Sequence, residues 1–368
     1  MSALTVTVDY GAISRNVARL TQRTSAQVMA VVKADAYGHG LVEAGRAARE
    51  GGATWLGTAQ PGEALRLRDS GDTGRILTWL YGPEVPAAQL VGASIDVSAS
   101  SVAVLDAIVA GAREAGRAAR LHIGVDTGLG REGVRPRDLP ALLERVRVAQ
   151  DAGEVEVVGV WSHLAWADAP GHPTIDAQAQ VFRDAVATVE AAGFELEVRH
   201  LANSACTLTR PDLHFDLVRP GIAVYGLPPV DDPEGLGFGL EAAMRVTSEL
   251  VLVKRVEAGQ GVSYGHEYVT DRDTVLGLVS AGYADGVFRA AGGRAEVSIR
   301  GERYRIAGRV CMDQFVVDLG PDTSCEVGDV VTIFGPEGPT ARDFADATGT
   351  IDYEVVCRFG CLRPKAGA

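Results

Sequence analysis

The sequence predicts an α/β protein: a (β/α)8 TIM barrel followed by a C-terminal, mostly antiparallel β domain. Two observations predict this fold. Between residues 28 and 218, apolar runs typical of strands alternate with amphipathic runs typical of helices. After residue 228, strand-like runs are separated by short turns that contain glycine. Strand–helix alternation implies parallel pairing with right-handed crossovers, and eight such units are what a closed barrel needs.

Eight runs in the first part of the chain are predicted strands. They cover residues 28–32, 54–57, 75–79, 94–97, 119–125, 155–162, 198–201 and 214–218. The segments between them are rich in Ala, Leu, Glu and Arg and are predicted helices, for example 41–50, 101–115 and 176–192. Because the run at 94–97 is weak, a doubly wound open sheet is the alternative arrangement.

A second domain is predicted from the change of composition after residue 228. Residues 228–237, PPVDDPEGLG, form an acidic linker rich in proline and glycine. Strands are predicted beyond it at 245–256, 274–279, 295–299, 303–306, 315–319 and 327–334, with one helix at 340–347. The alternating run 4–8 is expected to pair with this domain. The predicted domains are therefore a barrel at 9–230 and a β domain at 238–368, joined by strand 4–8.

Composition excludes several classes of partner. The chain of 368 residues is 46% hydrophobic and 23% charged, the profile of a soluble globular protein. Its net charge of −13 argues against binding to nucleic acid or an anionic membrane. No run approaches the ~18 apolar residues of a membrane span, and the N-terminus lacks the pattern of a secretory signal. The five cysteines lack metal-ligand spacing. We expect a cytoplasmic protein with reduced thiols and no metal.

Reactive side chains follow several of the predicted barrel strands. In a (β/α)8 barrel, the carboxyl ends of the strands meet at one mouth, where the active site lies. The residues expected there, in chain order, are Lys33, Arg131 in DTGLGR, His163, Asn203 and Ser204, and Arg219 with Gly221. One amine, two guanidinium groups, one imidazole and a Ser/Gly backbone cluster would therefore face one mouth.

Lys33, at the end of an apolar strand, indicates covalent chemistry. A lysine that forms a Schiff base needs a desolvated amine, because burial lowers the ammonium pKa and frees the nucleophile. The loops after strands seven and eight are the common phosphate site of such barrels, and Ser204 and Gly221 lie there. Together they point to pyridoxal 5′-phosphate (PLP). The alternative is that Lys33 only extends from a strand end or pairs with Asp35.

Arg219 would determine how the cofactor behaves. PLP enzymes tune the ring through the group that faces the pyridine nitrogen. A carboxylate keeps that nitrogen protonated, whereas an arginine, which is always cationic, should leave it unprotonated and make the ring a weaker electron sink. Side reactions such as transamination would then be limited. The alternative is a surface charge at a strand end, which the adjacent Pro220 and Gly221 argue against.

An ordered series of motifs resembles alanine racemase. The motifs, in family order, are AVVKADAYGHG at 30–40, DTGLGR at 126–131, WSHLAWAD at 161–168, LANSA at 201–205, LVRPGIAVYG at 217–226, VSYG at 262–265, GYADG at 282–286, GRVCMDQ at 308–314 and IDYE at 351–354. They span nearly the whole chain. The resemblance implies a PLP-dependent, fold-type III isomerase that interconverts L- and D-alanine by a two-base mechanism. The D-alanine would supply peptidoglycan synthesis.

The resemblance also implies roles for individual residues. Lys33 would bind PLP and act as one base, and Tyr264 would act as the opposite base, with His163 behind it, from the partner subunit of a homodimer. Arg219 would face the pyridine nitrogen, oriented by His200. The further cofactor-binding residues would be Tyr37, His163, Asn203, Ser204, Gly221, Ile222 and Tyr353. Arg131 and the backbone of Met312 would hold the substrate carboxylate, and Tyr283, Arg309 and Asp313 would line the corridor by which substrate enters.

One position departs from the family pattern. Many members carry a carbamylated lysine two residues before the Asp of the DTG motif, which steadies the substrate-binding arginine. Here that position is Gly124, so Arg131 must be positioned by another anion, by a different residue, or less firmly.

Three other functions are alternatives. A fold-related PLP-dependent amino-acid decarboxylase would generally pair the ring nitrogen with a carboxylate, which Arg219 argues against. A non-catalytic PLP-binding barrel would need neither the β domain nor a second base. A broad-specificity racemase would be expected with a signal segment.

Overall fold

The computed structural model describes residues 4–230, 237–362 and 365–367. The strands are β1 Thr5–Val8, β2 Gln27–Val31, β3 Trp55–Thr58, β4 Arg75–Thr78, β5 Asp96–Ala99, β6 Ala119–Gly124, β7 Val155–Trp161, β8 Val198–His200, β9 Leu217–Val218, β10 Met244–Val256, β11 Gly261–Val262, β12 Tyr268–Val269, β13 Thr274–Val279, β14 Glu296–Ile299, β15 Glu302–Arg305, β16 Phe315–Asp318, β17 Val330–Phe334 and β18 Lys365–Gly367. The helices are α1 Tyr10–Thr21, α2 Lys33–Tyr37, α3 Leu41–Glu50, α4 Pro61–Asp69, α5 Ala87–Gly92, α6 Val102–Ala115, α7 Leu139–Asp151, α8 Pro173–Ala191, α9 Ser204–Thr209, α10 Ala341–Thr348 and α11 Asp352–Leu362.

The chain divides into two compact units. The barrel unit comprises Gly11–Ala36 and Leu41–Glu241. The β unit comprises the residues up to Tyr10, the short segment Tyr37–Gly40, and the residues from Ala242 onward. The domain limits 9–230 and 238–368 stay a prediction.

The barrel unit contains a parallel eight-stranded sheet that runs in the order β8-β7-β6-β5-β4-β3-β2-β9. Because β2 pairs with β3 on one side and with β9 on the other, the first and last strands of the barrel are neighbours. An isolated parallel bridge between Asn203 and Arg219 joins the segments that follow β8 and β9. The barrel prediction is confirmed, and the open-sheet alternative is wrong. The weak run predicted at 94–97 corresponds to β5.

Helices of the barrel unit follow from local signals and from one apolar face. In α6, the Ser101 side chain accepts the Val104 N–H at the N-cap, and Gly116 ends the helix in the left-handed conformation. In α8, residues Ile175, Phe182 and Val189 are buried at seven-residue spacing, which keeps them on one face. These faces cover the outside of the sheet.

The barrel interior has an apolar layer and a polar layer. Met29, Trp55, Leu77, Val198 and Leu217, from five different strands, form one buried apolar cluster. Burial of each such side chain stabilises the fold by roughly 1.5–3 kcal/mol.

The polar layer consists of three side chains that are also buried. They are Asp96, His122 and His200, on β5, β6 and β8. Buried polar groups are stable only when they are hydrogen-bonded, so this layer must have an internal network.

The β unit is built on a sheet whose main path is β15-β14-β17-β10-β1-β18, with β13 pairing with β10 and β16. Strand β1 pairs antiparallel with β10 and parallel with β18. Phe334, Phe344 and Phe359 pack edge to face or tilted against one another beside this sheet.

Helix α11 was not expected, since only one helix, at 340–347, is predicted in this region. The predicted helix exists as α10. The segment of α11 contains glycine and β-branched residues that lower its helix propensity. Packing overrides that propensity: Val355, Val356 and Phe359 are buried, and Gly360 lies directly against Gly38. Among the described residues, no helix has the length and apolar character that crossing a membrane requires.

Candidate active site

Lys33 lies two residues after the first barrel strand, β2, and begins a turn of unusual handedness. Residues 34–37 all have φ between 53° and 56°, although none is glycine. The left-handed helical conformation costs roughly 1–2 kcal/mol per such residue. The Ala36 N–H donates to Val32 O at 2.8 Å, and the Asp35 carboxylate accepts the Leu41 N–H at 3.0 Å. Strain held in this way is characteristic of functional sites. Nothing in the sequence pattern predicts this turn.

Arg219 follows β9 and is only 6% exposed, so it is not a surface charge. Its guanidinium donates to His200 O at 2.7 Å and to Ser162 O at 2.6 Å. It also lies 3.2 Å from His200 Nδ1 and 3.4 Å from His163 Nδ1. Within the described part of the chain, no carboxylate forms a salt bridge with it. Burial lowers the pKa of Arg219 to about 10, so it remains cationic at neutral pH.

His163 lies among three cations. Burial, followed by the charges of Arg219, Arg131 and Lys33, lowers the pKa of His163 to about 3. The imidazole is therefore neutral at physiological pH, and its Nδ1 can accept a hydrogen bond from Arg219. Gln178 holds this segment in place, since its Nε2 donates to His163 O at 3.1 Å. The barrel mouth thus concentrates positive charge around a neutral ring.

Arg131 extends from a loop shaped by Asp126, whose Oδ1 accepts the N–H groups of Gly128 and Gly130 at 3.0 Å each. The Arg131 side chain is half-exposed and binds the carboxylate of Glu132 through two nitrogens, with the NH2–Oε1 distance at 2.7 Å. This ion pair raises the pKa of Arg131. Glu132 is therefore an anion that holds the guanidinium from beside it.

Gly124 is closely packed, which explains why no long side chain stands there. A Cβ at this position would lie 2.9 Å from Ser100 Oγ and 3.2 Å from Trp161 Nε1. A larger side chain would therefore require both neighbours to move. Gly124 and Glu132 line the same small cavity, together with Trp161 and His163.

Ser204 links the segments after β8 and β9. Its Oγ accepts the Gly221 N–H at 2.7 Å and the Ala223 N–H at 3.3 Å. Asn203 caps α9 by accepting the Cys206 N–H at 3.2 Å. Ser204, Gly221 and Ile222 are all buried. The structure thus brings three of the predicted phosphate-binding residues together in the barrel unit.

In the β unit, Tyr37 lies beside Tyr353, with the ring centroids 6.1 Å apart. Gly38 makes this approach possible, since a Cβ there would lie 2.6 Å from Val356 O in α11. Burial, with smaller contributions from Tyr353 and Cys357, raises the pKa of Tyr37 well above its usual range. Its phenol therefore remains a hydrogen-bond donor at any physiological pH.

Within the β unit, hydrogen bonds join the segments that carry a second set of predicted residues: Tyr264, Tyr283, Arg309, Met312 and Asp313. The Ser263 hydroxyl donates to Arg309 O at 2.7 Å. Backbone hydrogen bonds run from Tyr283 N to Cys311 O at 3.0 Å and from Ala284 N to Met312 O at 2.9 Å. Tyr264 is 70% exposed and Met312 54% exposed. Both would be accessible to a second molecule.

Three residues that the sequence pattern does not single out also belong to the barrel site. Asp96 and His122 lie in the interior beneath Arg219, and Glu132 binds Arg131. The sequence contains one usable signal for the first two: a charged or titratable residue within an otherwise apolar run must find a buried partner.

The fold and the barrel residues define the class: a barrel protein with a lysine at its mouth and cations around it. A family model described as the alanine racemase N-terminal domain matches residues 8–229, and one described as the C-terminal domain matches residues 243–365. The chain therefore belongs to the alanine racemase family, whose members are PLP-dependent isomerases.

Relatives and solved structures agree with this assignment. The alanine racemase of Salinispora arenicola is 54% identical over 361 residues, covering 97% of this chain and 96% of the relative. That of Thermobifida fusca is 52% identical over 363 residues, with 97% and 96% covered. The structure from Streptomyces lavendulae has a TM-score of 0.96 at 50% identity, covering 100% of this chain and 97% of that one. That from Streptomyces coelicolor has a TM-score of 0.96 at 47% identity, with 100% and 98% covered. Alanine racemase activity is thereby indicated.

Acidification should destabilise the protein through its buried histidines. Burial lowers the pKa of His122, His163 and His200 below the usual value. Below about pH 6.5, the unfolded chain takes up protons on these residues that the folded chain does not. The free energy of unfolding therefore decreases as the pH is lowered. Each such histidine contributes up to roughly 1.4 kcal/mol per pH unit. Urea unfolding between pH 7.5 and 5.5 measures the fall.

Carboxylates also contribute to acid destabilisation, so the histidines need a separate measurement. Nitrogen NMR of ¹⁵N-histidine-labelled protein reports the charge of each imidazole directly. We expect the His163 and His200 rings to be neutral at pH 5.5 in the folded protein, and the pKa of His122 to lie below its value in the unfolded chain. A charge on His163 or His200 above that pH contradicts the assignment.

Replacing Glu132 should weaken the hold on the substrate. Glu132→Gln keeps the shape of the side chain and removes the charge that holds Arg131. Because the pair is partly exposed, we expect the KM for L-alanine to rise about two- to ten-fold, with a smaller change in kcat. The control is Glu154→Gln, which removes a similar surface pair with Arg113. An equal effect in both variants, or none in Glu132→Gln, argues against a positioning role for Glu132.

Proposed function

We propose that this chain interconverts L- and D-alanine with PLP bound to Lys33, by a two-base mechanism. The D-alanine formed would supply peptidoglycan synthesis in the cytoplasm. The observation that supports this best is the pairing, within one unit, of Lys33 at the end of β2 with a buried arginine that binds no carboxylate in the described residues.

The residues of the barrel unit fit PLP. The site offers cations for the phosphate and for a substrate carboxylate, a buried guanidinium for the pyridine nitrogen, and an amine for the covalent link. The Ser204 hydroxyl and the backbone of Gly221 and Ile222 would hold the phosphate, together with the phenols of Tyr37 and Tyr353. Lys33 is the one lysine between residues 9 and 230, so a Schiff base in the barrel sequence can form nowhere else.

When bound, PLP links to the amino acid and stabilises negative charge at its Cα. Racemisation then requires that a proton leave one face of the Cα and that another arrive on the opposite face. Lys33 would serve one face once its amine is released, and Tyr264 of the partner subunit would serve the other. A phenol has a pKa of about 10 in water, so cations near the shared site would have to stabilise the phenolate. Arg131, Arg219 and the neutral His163 line the mouth where this would occur.

Arg219 favours racemisation over the alternatives. A cationic donor would leave the pyridine nitrogen of bound PLP unprotonated, so the ring would be a weaker electron sink and return of a proton to the Cα would be favoured over side reactions. Its neighbours, the neutral His200 and two carbonyl groups, supply no carboxylate of the kind that a decarboxylase of this fold would use. A broad-specificity racemase would differ in the range of amino acids that it turns over.

The remaining roles concern substrate binding and assembly. Arg131 and the backbone of Met312 would hold the substrate carboxylate, and Tyr283, Arg309 and Asp313 would line the corridor to the site. Tyr264 and Met312 are more than half exposed in the single chain, as suits residues that complete a partner's site. We therefore propose a homodimer with shared active sites.

Lys33→Ala should abolish both cofactor attachment and racemisation. D-alanine formation from L-alanine is measured with added PLP, and borohydride reduction followed by peptide mass spectrometry locates the attached cofactor. Lys254→Ala is the matched control, because Lys254 is one of only three lysines in the chain and lies exposed on β10. Cofactor attached to Lys33 without alanine turnover would redirect the assignment to other amino acids or to decarboxylation.

Subunits mutated separately at Lys33 and Tyr264 should restore activity when they are mixed. A dimer of one Lys33→Ala subunit and one Tyr264→Phe subunit carries one site with both bases intact. In an equal mixture about half of the dimers are of this kind, so complete exchange recovers about a quarter of the wild-type activity. The check is D-alanine formation after mild denaturation and refolding of the mixture, with each variant refolded alone as the control. No recovery from a mixture shown to exchange subunits contradicts action in trans.

A further inference from the structure

A continuous hydrogen-bonded chain crosses the barrel interior and ends on Arg219. Asp96 Oδ2 lies 3.3 Å from His122 Nε2, His122 Nδ1 lies 2.9 Å from His200 Nε2, and His200 Nδ1 lies 3.2 Å from Arg219 NH1. All four side chains are buried. Asp96 begins β5, whereas Arg219 follows β9, so the chain leads from the amino ends of the strands to the mouth.

The chemistry of the groups permits one arrangement of protons. A guanidinium can only donate, so His200 Nδ1 must accept and its proton must be on Nε2. That Nε2–H donates to His122 Nδ1, which places the His122 proton on Nε2. The last donor then faces the Asp96 carboxylate, which can only accept. Burial lowers the pKa of both imidazoles, in agreement with one proton on each ring.

Asp96 is held as a carboxylate by arginines at the amino end of the barrel. Arg75 NH2 lies 2.7 Å from its Oδ2, and Arg120 Nε lies 3.4 Å from its Oδ1. Both arginines also bind Glu197. Burial raises the pKa of Asp96, but the hydrogen bond from His122 and the charge and hydrogen bond of Arg75 outweigh it and leave that pKa below the usual value.

Aromatic packing fixes the planes of the two rings. His122 meets His200 edge to face, with the centroids 5.1 Å apart, and meets Trp55 in the same way at 5.7 Å. Trp161 stacks on His200 at 6.2 Å and lies 5.3 Å from the Arg219 guanidinium carbon. Neither imidazole can rotate to exchange its nitrogens without displacing a tryptophan, so only a shift of the proton could reverse the chain.

We propose that Asp96 and His122 are positioning residues for Arg219. They act through His200 to set its tautomer, and thereby the direction in which the guanidinium points at the barrel mouth. With the opposite tautomer, His200 Nδ1–H would face an N–H of Arg219, and the guanidinium would turn away. This inference rests on the proposed function only for its effect on turnover, since the tautomers are a property of the protein itself.

Asp96→Asn tests the inference in the PLP-loaded enzyme. Oδ2 faces both Arg75 and His122, so the amide oxygen should take that position and the amide N–H the position near Arg120. The acceptor of the His122 Nε2–H then carries no charge, which weakens the preference that orders the chain. We expect the tautomers of His122 and His200 to shift toward Nδ1–H in two-bond ¹⁵N–¹H spectra. We also expect kcat to fall roughly ten- to hundred-fold with little change in the KM for alanine.

Glu197→Gln is the matched control, because Glu197 binds the same two arginines but makes no contact with His122. It should leave both the tautomers and kcat near the wild-type values. Three results would overturn the proposal: wild-type His200 protonated on Nδ1, an Asp96→Asn variant with unchanged tautomers and turnover, or an equal loss of turnover in Glu197→Gln. Wild-type protein that forms no D-alanine would refute the proposed function instead, and the spectra would still decide the tautomers.

A second variant covers the case in which Asp96→Asn does not fold. His122→Phe keeps a ring between Trp55 and His200 and removes the acceptor of the His200 Nε2–H. We expect mixed His200 tautomers and a similar fall in kcat. The midpoint of unfolding in urea, compared with that of wild type, shows whether the variant folds. Wild-type turnover in a folded His122→Phe variant also overturns the proposal.

Discussion

Burial of the Arg219 guanidinium is the constraint on which the barrel interior depends. An arginine that is 6% exposed and has no salt bridge among the described residues loses its hydration, so the interior must supply dipoles in its place. Three carbonyl oxygens and two imidazole nitrogens do so. His200 must also present the lone pair of its Nδ1 to the guanidinium, so its proton lies on Nε2 and needs acceptors further in, first His122 and then Asp96. The polar layer formed by Asp96, His122 and His200 is therefore a consequence of one cation.

The fold could be predicted because its cause is repeated along the chain. Each barrel strand is an apolar run followed by an amphipathic helix, and even the weak run at 94–97 has the same place in the alternation as β5. Helix α11 could not be predicted, because its glycine and β-branched residues indicate little intrinsic preference for a helix. Its stability comes from packing of Val355, Phe359 and Gly360, which only the tertiary structure reveals.

The candidate site could be predicted only in part, for a related reason. Lys33 and Arg219 follow strands, so the barrel topology places them at one mouth. Glu132 could not be identified from the sequence, because an acidic residue next to an arginine usually forms only a surface ion pair. The structure shows that it binds Arg131. Likewise, the left-handed turn at 34–37 depends on hydrogen bonds that it donates to Val32 and Glu63 and on one that it accepts from Leu41, which sequence spacing alone does not indicate.

The packing of Gly38 against Gly360 has a consequence for synthesis on the ribosome. The two glycines are 322 residues apart (360 − 38), so at about 5–20 residues per second Gly38 waits roughly 15–60 s for its partner to be made. The segment that follows Lys33 thus belongs to the last contacts to form, although it is among the first to be translated. A nascent chain can therefore complete the strands of the barrel while residues 37–40 still lack their contact with the last helix.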